Sequence, residues 1–121
     1  MKKLIGKYYL GDGKVNVFFR PELGGEFRFF PDDGDLGEIV IGMDYNHWYE
    51  VVAVLIHECQ EFIMCQRRLR YRKDRDVEDQ AAYVFIFNHQ DYTQICLDIA
   101  DFLVNILPDM NTKWKKWRKK K

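Results

Sequence analysis

Long apolar stretches are missing from this sequence. Runs such as Val51–Ile56 (VVAVLI) last only a handful of residues, far short of the ~20 that a membrane-spanning helix requires. Near the N-terminus, Gly6, Lys7 and Asp12 interrupt any signal-peptide core. Cysteine is scarce: Cys59, Cys65 and Cys96 form an odd set without CxxC spacing. That argues against a disulfide framework or a cysteine-based zinc site, and for reduced thiols in a cytoplasmic protein. Histidine is limited to His47, His57 and His89, which restricts any imidazole-based metal site. Net charge is absent as well, with nineteen Lys and Arg against nineteen Asp and Glu. Disorder is excluded by what remains, since 47% of the 121 residues are hydrophobic and 16% aromatic.

The zero net charge conceals a division. Residues 113–121 (KWKKWRKKK) hold seven basic side chains and no acid, so residues 1–112 carry −7. The chain therefore reads as one domain over 1–112 followed by a basic Trp/Lys tail over 113–121. Two tryptophans among seven cations suit an anionic partner, either nucleic acid or a membrane surface. The charged segment Arg67–Arg75 reads as a solvated helix end.

The first third predicts strands. Leu4–Leu10 and Lys14–Arg20 flank Gly11-Asp12-Gly13, a hairpin signal, and Pro21–Gly25 marks a second turn. Glu26–Phe30 and Glu38–Met43 supply two more strands, the latter β-branched, apolar on both faces and so expected to be well buried. The period then changes. From Asp44, read as an N-cap, Trp48, Val51, Val52, Leu55, Cys59, Phe62 and Ile63 recur at helical spacing. Ala81–Phe87 fits strand or helix. A second helix begins at Asn88, with Asp91 completing an approximate capping box. It carries Ile95, Ile99, Phe102 and Ile106 on one stripe and is expected to stop near Pro108. The predicted fold is α+β: a small antiparallel sheet of about four strands followed by two main helices.

Chemistry concentrates in Val54-Leu55-Ile56-His57-Glu58-Cys59-Gln60-Glu61. On a helix His57 and Glu61 lie one turn apart on the same face, close enough to share an ion, while Glu58 projects beside them. This is the arrangement of the HExxH zinc helix with Glu in place of the second His. A carboxylate is a competent zinc ligand. His47 is too distant along the same helix, whereas a long connection could return His89 to the site. The expected Zn²⁺ ligands are thus His57, Glu61 and His89, with Glu58 as general base. An oxyanion stabiliser could be Tyr92, Tyr45 or Arg70. Cys59 and Cys65 read as small core residues.

Over residues 38–107 the chain resembles the compact zincin-like metallopeptidases of prokaryotic or phage type. Leu55, His57, Glu58 and Glu61 match their xLxHExxE helix, and His89-Gln90-Asp91-Tyr92 precedes an IAxFL-like segment, Ile99–Leu103. The resemblance implies a zincin-like fold, a zinc ion, hydrolysis of a peptide or protein substrate, and a substrate-lining edge strand at Glu38–Met43. The competing reading is a non-catalytic binding protein on such a scaffold, a phage or mobile-element factor engaging a protein or nucleic acid.

Overall fold

Four strands alternate inward and outward side chains in the computed structural model, which describes residues 2–34, 36–72, 83–85 and 87–120. They are β1 (Lys3–Leu10), β2 (Gly13–Arg20), β3 (Gly25–Phe30) and β4 (Leu36–Gly42). Helix α1 spans Trp48–Gln66, the short strands β5 (Arg70–Arg72) and β6 (Tyr83–Phe85) pair with each other, and α2 spans His89–Lys120. The α+β class holds. The ambiguous segment near residue 84 is a strand, while Lys73, Arg75, Ala81, Ala82 and Ile86 lie outside the described residues.

The sheet is mixed, not antiparallel. Its order is β1-β2-β4-β3, with β2 and β4 parallel and both outer pairs antiparallel. Strand β4 enters between β2 and β3, so residues 21–24 must cross over its end. Three backbone hydrogen bonds tie the crossing down: Gly42 N–H to Gly24 O (2.6 Å), Met43 N–H to Arg20 O (3.0 Å) and Asp44 N–H to Glu22 O (3.2 Å). Only a glycine fits at 42. A Cβ there would lie 2.3 Å from Glu22 O, 2.6 Å from Gly24 O and 2.7 Å from the Leu23 carbonyl carbon. The insertion also moves the sheet edge. Glu38–Met43 is interior, and β3 is the edge strand on that side.

Both helices cover one face of the sheet. Val15 and Val17 of β2 and Ile39 and Ile41 of β4 point into a core shared with Val51, Leu55, Cys59, Phe62 and Ile63 of α1 and Ile95, Phe102 and Ile106 of α2. Helix α1 lies on β3 and β4, where the Phe62 ring meets Phe27 and Phe29 edge-on at centroid distances of 6.4 and 5.4 Å. Helix α2 lies on β1, where Tyr8 meets Phe102 edge-on and donates its hydroxyl to Asp109 at 2.7 Å. Arg67 and Asp98 link the two helices at 2.5 Å.

Helix α1 starts later than Asp44. Residues 43–46 are already committed elsewhere, and His47 stands at the N-cap position. The capping box on α2 is formed: Asp91 N–H donates to Asn88 Oδ1 (2.8 Å) and Asn88 N–H to Asp91 Oδ2 (3.3 Å). Helix α2 does not stop at Pro108 but runs through it. Proline removes the donor for the Val104 carbonyl, yet Val104 and Pro108 lie on the exposed side, where the carbonyl is open to solvent and its loss of a partner costs little. The inward stripe continues at four-residue steps through Phe102, Ile106, Met110 and Trp114, all buried. Packing of that stripe outweighs the proline.

Residues 113–120 are thus the last turns of α2, and they dock on the body. Trp114 Nε1–H donates to Met43 O at 3.2 Å and its ring meets Trp48 at 5.4 Å. Arg118 Nη1 donates to Tyr45 O (2.7 Å) and Asn46 O (3.0 Å) while lying over the Trp114 ring. Among the described residues no helix is long and apolar enough to cross a membrane.

None of the three cysteines is in a disulfide. Cys59 is buried, as the core reading requires, and loss of solvent pushes its thiol up to about 12. Cys96 is exposed. Treating the native protein with a thiol reagent near pH 8 should modify Cys96 quickly and leave Cys59 unmodified until denaturant is added, as mass mapping of the adducts would show. Rapid native labelling of Cys59 would contradict this packing.

Candidate metal centre

The HExxE segment spans the third and fourth turns of α1. Val51, Leu55, Cys59 and Phe62 hold that helix against the sheet, which fixes where the intervening residues point. His57 faces solvent, with 68% of its side chain exposed, and Glu61 is three-quarters covered. His57 Nε2 lies 3.1 Å from Glu61 Oε2. Glu58, only 6% exposed, is the one buried acidic residue among those described. One ligand atom from each of His57, Glu58 and Glu61 falls within 4.8 Å of the others, and no second group of this kind occurs among the described residues. These three could hold a metal ion.

His89 does not join them. It is the exposed first residue of α2 and stands outside the cluster. The local spacing brings His57, Glu58 and Glu61 together, whereas the return of His89 requires a path for the connection that sequence spacing does not determine. His47, at the start of α1, is also outside.

Glycine shapes the other wall. Gly24 and Gly25, where the crossing enters β3, line a cleft of about 440 Å³ with Ala53, Val54, His57 and Glu58. A Cβ at Gly25 would sit 2.8 Å from Val54 Cγ1 and 3.0 Å from Glu58 Cγ, so its absence lets the acid tuck against the edge strand. In the sequence Gly24-Gly25 reads only as a turn. Two consecutive glycines before a strand are the available signal for a close approach. Tyr45, one of the three oxyanion candidates, is tied to this wall, its hydroxyl oxygen accepting from Gly24 N–H at 2.8 Å. Tyr92 is instead stacked on Phe87 beside the start of α2. The Arg70 side chain lies outside the described part of the structure.

The electrostatics favour a cation. Burial, and next the negative charge of Glu61, push the Glu58 carboxyl above its ordinary range. His57 opposes that rise, Glu26 adds to it and Arg20 opposes it. Arg20 is itself engaged with Glu22 at 3.6 Å and Glu26 at 3.5 Å. An imidazole and two carboxylates, one of them buried without a dedicated countercharge, make a donor set that a divalent ion would satisfy. No protein-family model matches the chain, and no curated protein or solved structure does so either.

Proposed function

We propose that this chain is a zinc-dependent hydrolase of the metallopeptidase kind, with His57 and Glu61 as metal ligands and Glu58 as general base. The observation that carries the reading is the convergence of the three groups beside a cleft whose far wall is an edge strand. Strand β3 is the outer strand of the four-stranded sheet among the described residues, the place where an extended peptide or protein segment can add. Such a substrate would run past Glu58 at Gly24 and Gly25. Zinc, when bound, supplies an electrophile and a water with a pKa near ~7. Glu58 accepts a proton at its carboxylate and returns it to the leaving amine, and its elevated proton affinity suits both steps. The Tyr45 hydroxyl, with its own proton still available, is the donor best placed for an oxyanion. Free thiols accord with a reducing compartment, the cytoplasm.

Zinc titration by calorimetry tests the assignment. His57→Ala should weaken binding about 100-fold, and because His57 is exposed the variant should fold normally. Equal affinity in the variant would end the metal-site reading. One observation favours the rival, a binding scaffold without hydrolysis: His89 stands apart, so the helix supplies only two ligands and a flanking acid. Zinc binding with no hydrolysis of casein or peptide libraries would select that rival.

A further inference from the structure

At the opposite end of β2 from the hairpin, the last turns of α2 and the ends of β1 and β2 enclose a second cleft, of about 370 Å³. Its lining is unlike that of the first. Phe19 and Trp117 provide aromatic surface, and Lys3, Lys113, Lys116 and Lys120 stand around it. Among the described residues, no acidic side chain lines the cleft.

Several cations elsewhere in the chain have partners of their own. Arg118 is engaged with the carbonyls of Tyr45 and Asn46, Arg67 with Asp98, Arg20 with Glu22 and Glu26, and Lys2 with Glu38. Among the described residues, none of the four cleft lysine side chains has an ion pair or hydrogen bond. Unpaired like charges converging on one recess raise the local positive potential, in contrast with the net −7 carried by residues 1–112.

We propose that this cleft binds single-stranded nucleic acid, with a base stacked against Trp117 and the backbone phosphates held by Lys3, Lys113, Lys116 and Lys120. Three of these lysines follow one another along α2 at positions 113, 116 and 120. At ~1.5 Å per residue they form a row of about 10 Å, which tracks a run of backbone and exceeds a single phosphate. Aromatic surface flanked by cations is the usual construction of sequence-tolerant strand binding. A membrane surface fits less well. An interfacial helix must offer its apolar face to lipid, but the apolar face of α2 is used internally, with Met110 and Trp114 buried. The cleft lies apart from the HExxE residues, so the proposal does not depend on the metal site.

The test uses the full chain and a fluorescein-labelled oligothymidylate, read by anisotropy. With about 0.7 of log–log slope per phosphate contact, four contacts weaken binding roughly 50-fold between about 50 and 200 mM salt. Lys116→Glu with Lys120→Glu should weaken binding at least about 10-fold at low salt. Lys115→Glu with Lys119→Glu changes net charge equally on the same helix but outside the cleft, and should stay within about threefold of the parent. All four lysines are on the surface, so folding is preserved in both variants. Equal loss in the two variants, or no binding of the oligonucleotide by the parent, overturns the proposal. So does preferential, Lys116- and Lys120-dependent binding to phosphatidylglycerol vesicles.

Discussion

Replacing Gly42 by Ala should destabilise the protein by about 4 kcal/mol and lower its Tm by roughly 15 °C. The new methyl group meets three backbone atoms at 2.3–2.7 Å, and backbone cannot rotate aside as a side chain can. Overpacking of this kind costs ~1–3 kcal/mol. Relief requires lifting residues 21–24 off the end of β4, which strains or breaks the three hydrogen bonds from Gly42, Met43 and Asp44, each contributing ~1 kcal/mol. Gly34→Ala is the comparison. Gly34 has φ +69°, but nothing lies within 4 Å of the point where its methyl would stand, so only the left-handed backbone penalty of ~1 kcal/mol applies. Thermal melts of the two variants should differ by several degrees or more. If both lose the same small amount, the crossing over β4 is not as tight as described.

Glu58→Gln should lower hydrolysis about 1000-fold while zinc stoichiometry stays the same, since the amide keeps the shape but cannot take a proton. The same substitution should raise stability in metal-stripped protein. The folded-state pKa of Glu58 lies above its ordinary value of 4.5, so the folded state holds this proton more tightly than the unfolded chain. Its stabilising effect is therefore complete below pH 4.5 and is lost as pH rises through the folded value. Wild-type protein should melt lower than the Gln variant at about pH 7, with the gap closing as pH falls toward about 4. Saturating zinc should reverse the order at neutral pH. A wild-type Tm that is higher at neutral pH than the variant's without metal would show that Glu58 already has a sufficient countercharge. Hydrolysis unaffected by the substitution would remove its role as base.

How much of this is legible in the sequence depends on the distance over which each feature is determined. The hairpin at Gly11-Asp12, both helical stripes, the Asn88–Asp91 cap and the cluster of His57 with Glu58 and Glu61 are set by neighbours within a turn or two. Sequence periodicity captures them. The mixed sheet is not legible, because Pro21–Gly24 resembles an ordinary hairpin connection and nothing local says that β4 will slide between β2 and β3. Residues 38–43, apolar on both faces, do read as a buried strand, and β4 is interior; only the family resemblance makes them an edge strand, and the edge is β3. Pro108 misleads for a related reason. Its local cost is real, but it is outweighed by Met110 and Trp114 packing against strands and loops far back in the chain. Gly25 looks like punctuation because the atoms it makes room for, on Val54 and Glu58, are about thirty positions away.

The contact from Trp114 to Met43 spans 71 residues. The lead-in to α1 is therefore held twice, once by the nearby residues 20–24, which bond Met43, Asp44 and Tyr45, and once by Trp114 and Arg118, which bond Met43, Tyr45 and Asn46 from far along the sequence. The second clamp closes by far the longer loop and so carries the larger entropic cost of formation. The helix that bears His57, Glu58 and Glu61 gains its final restraint only when the end of α2 has docked.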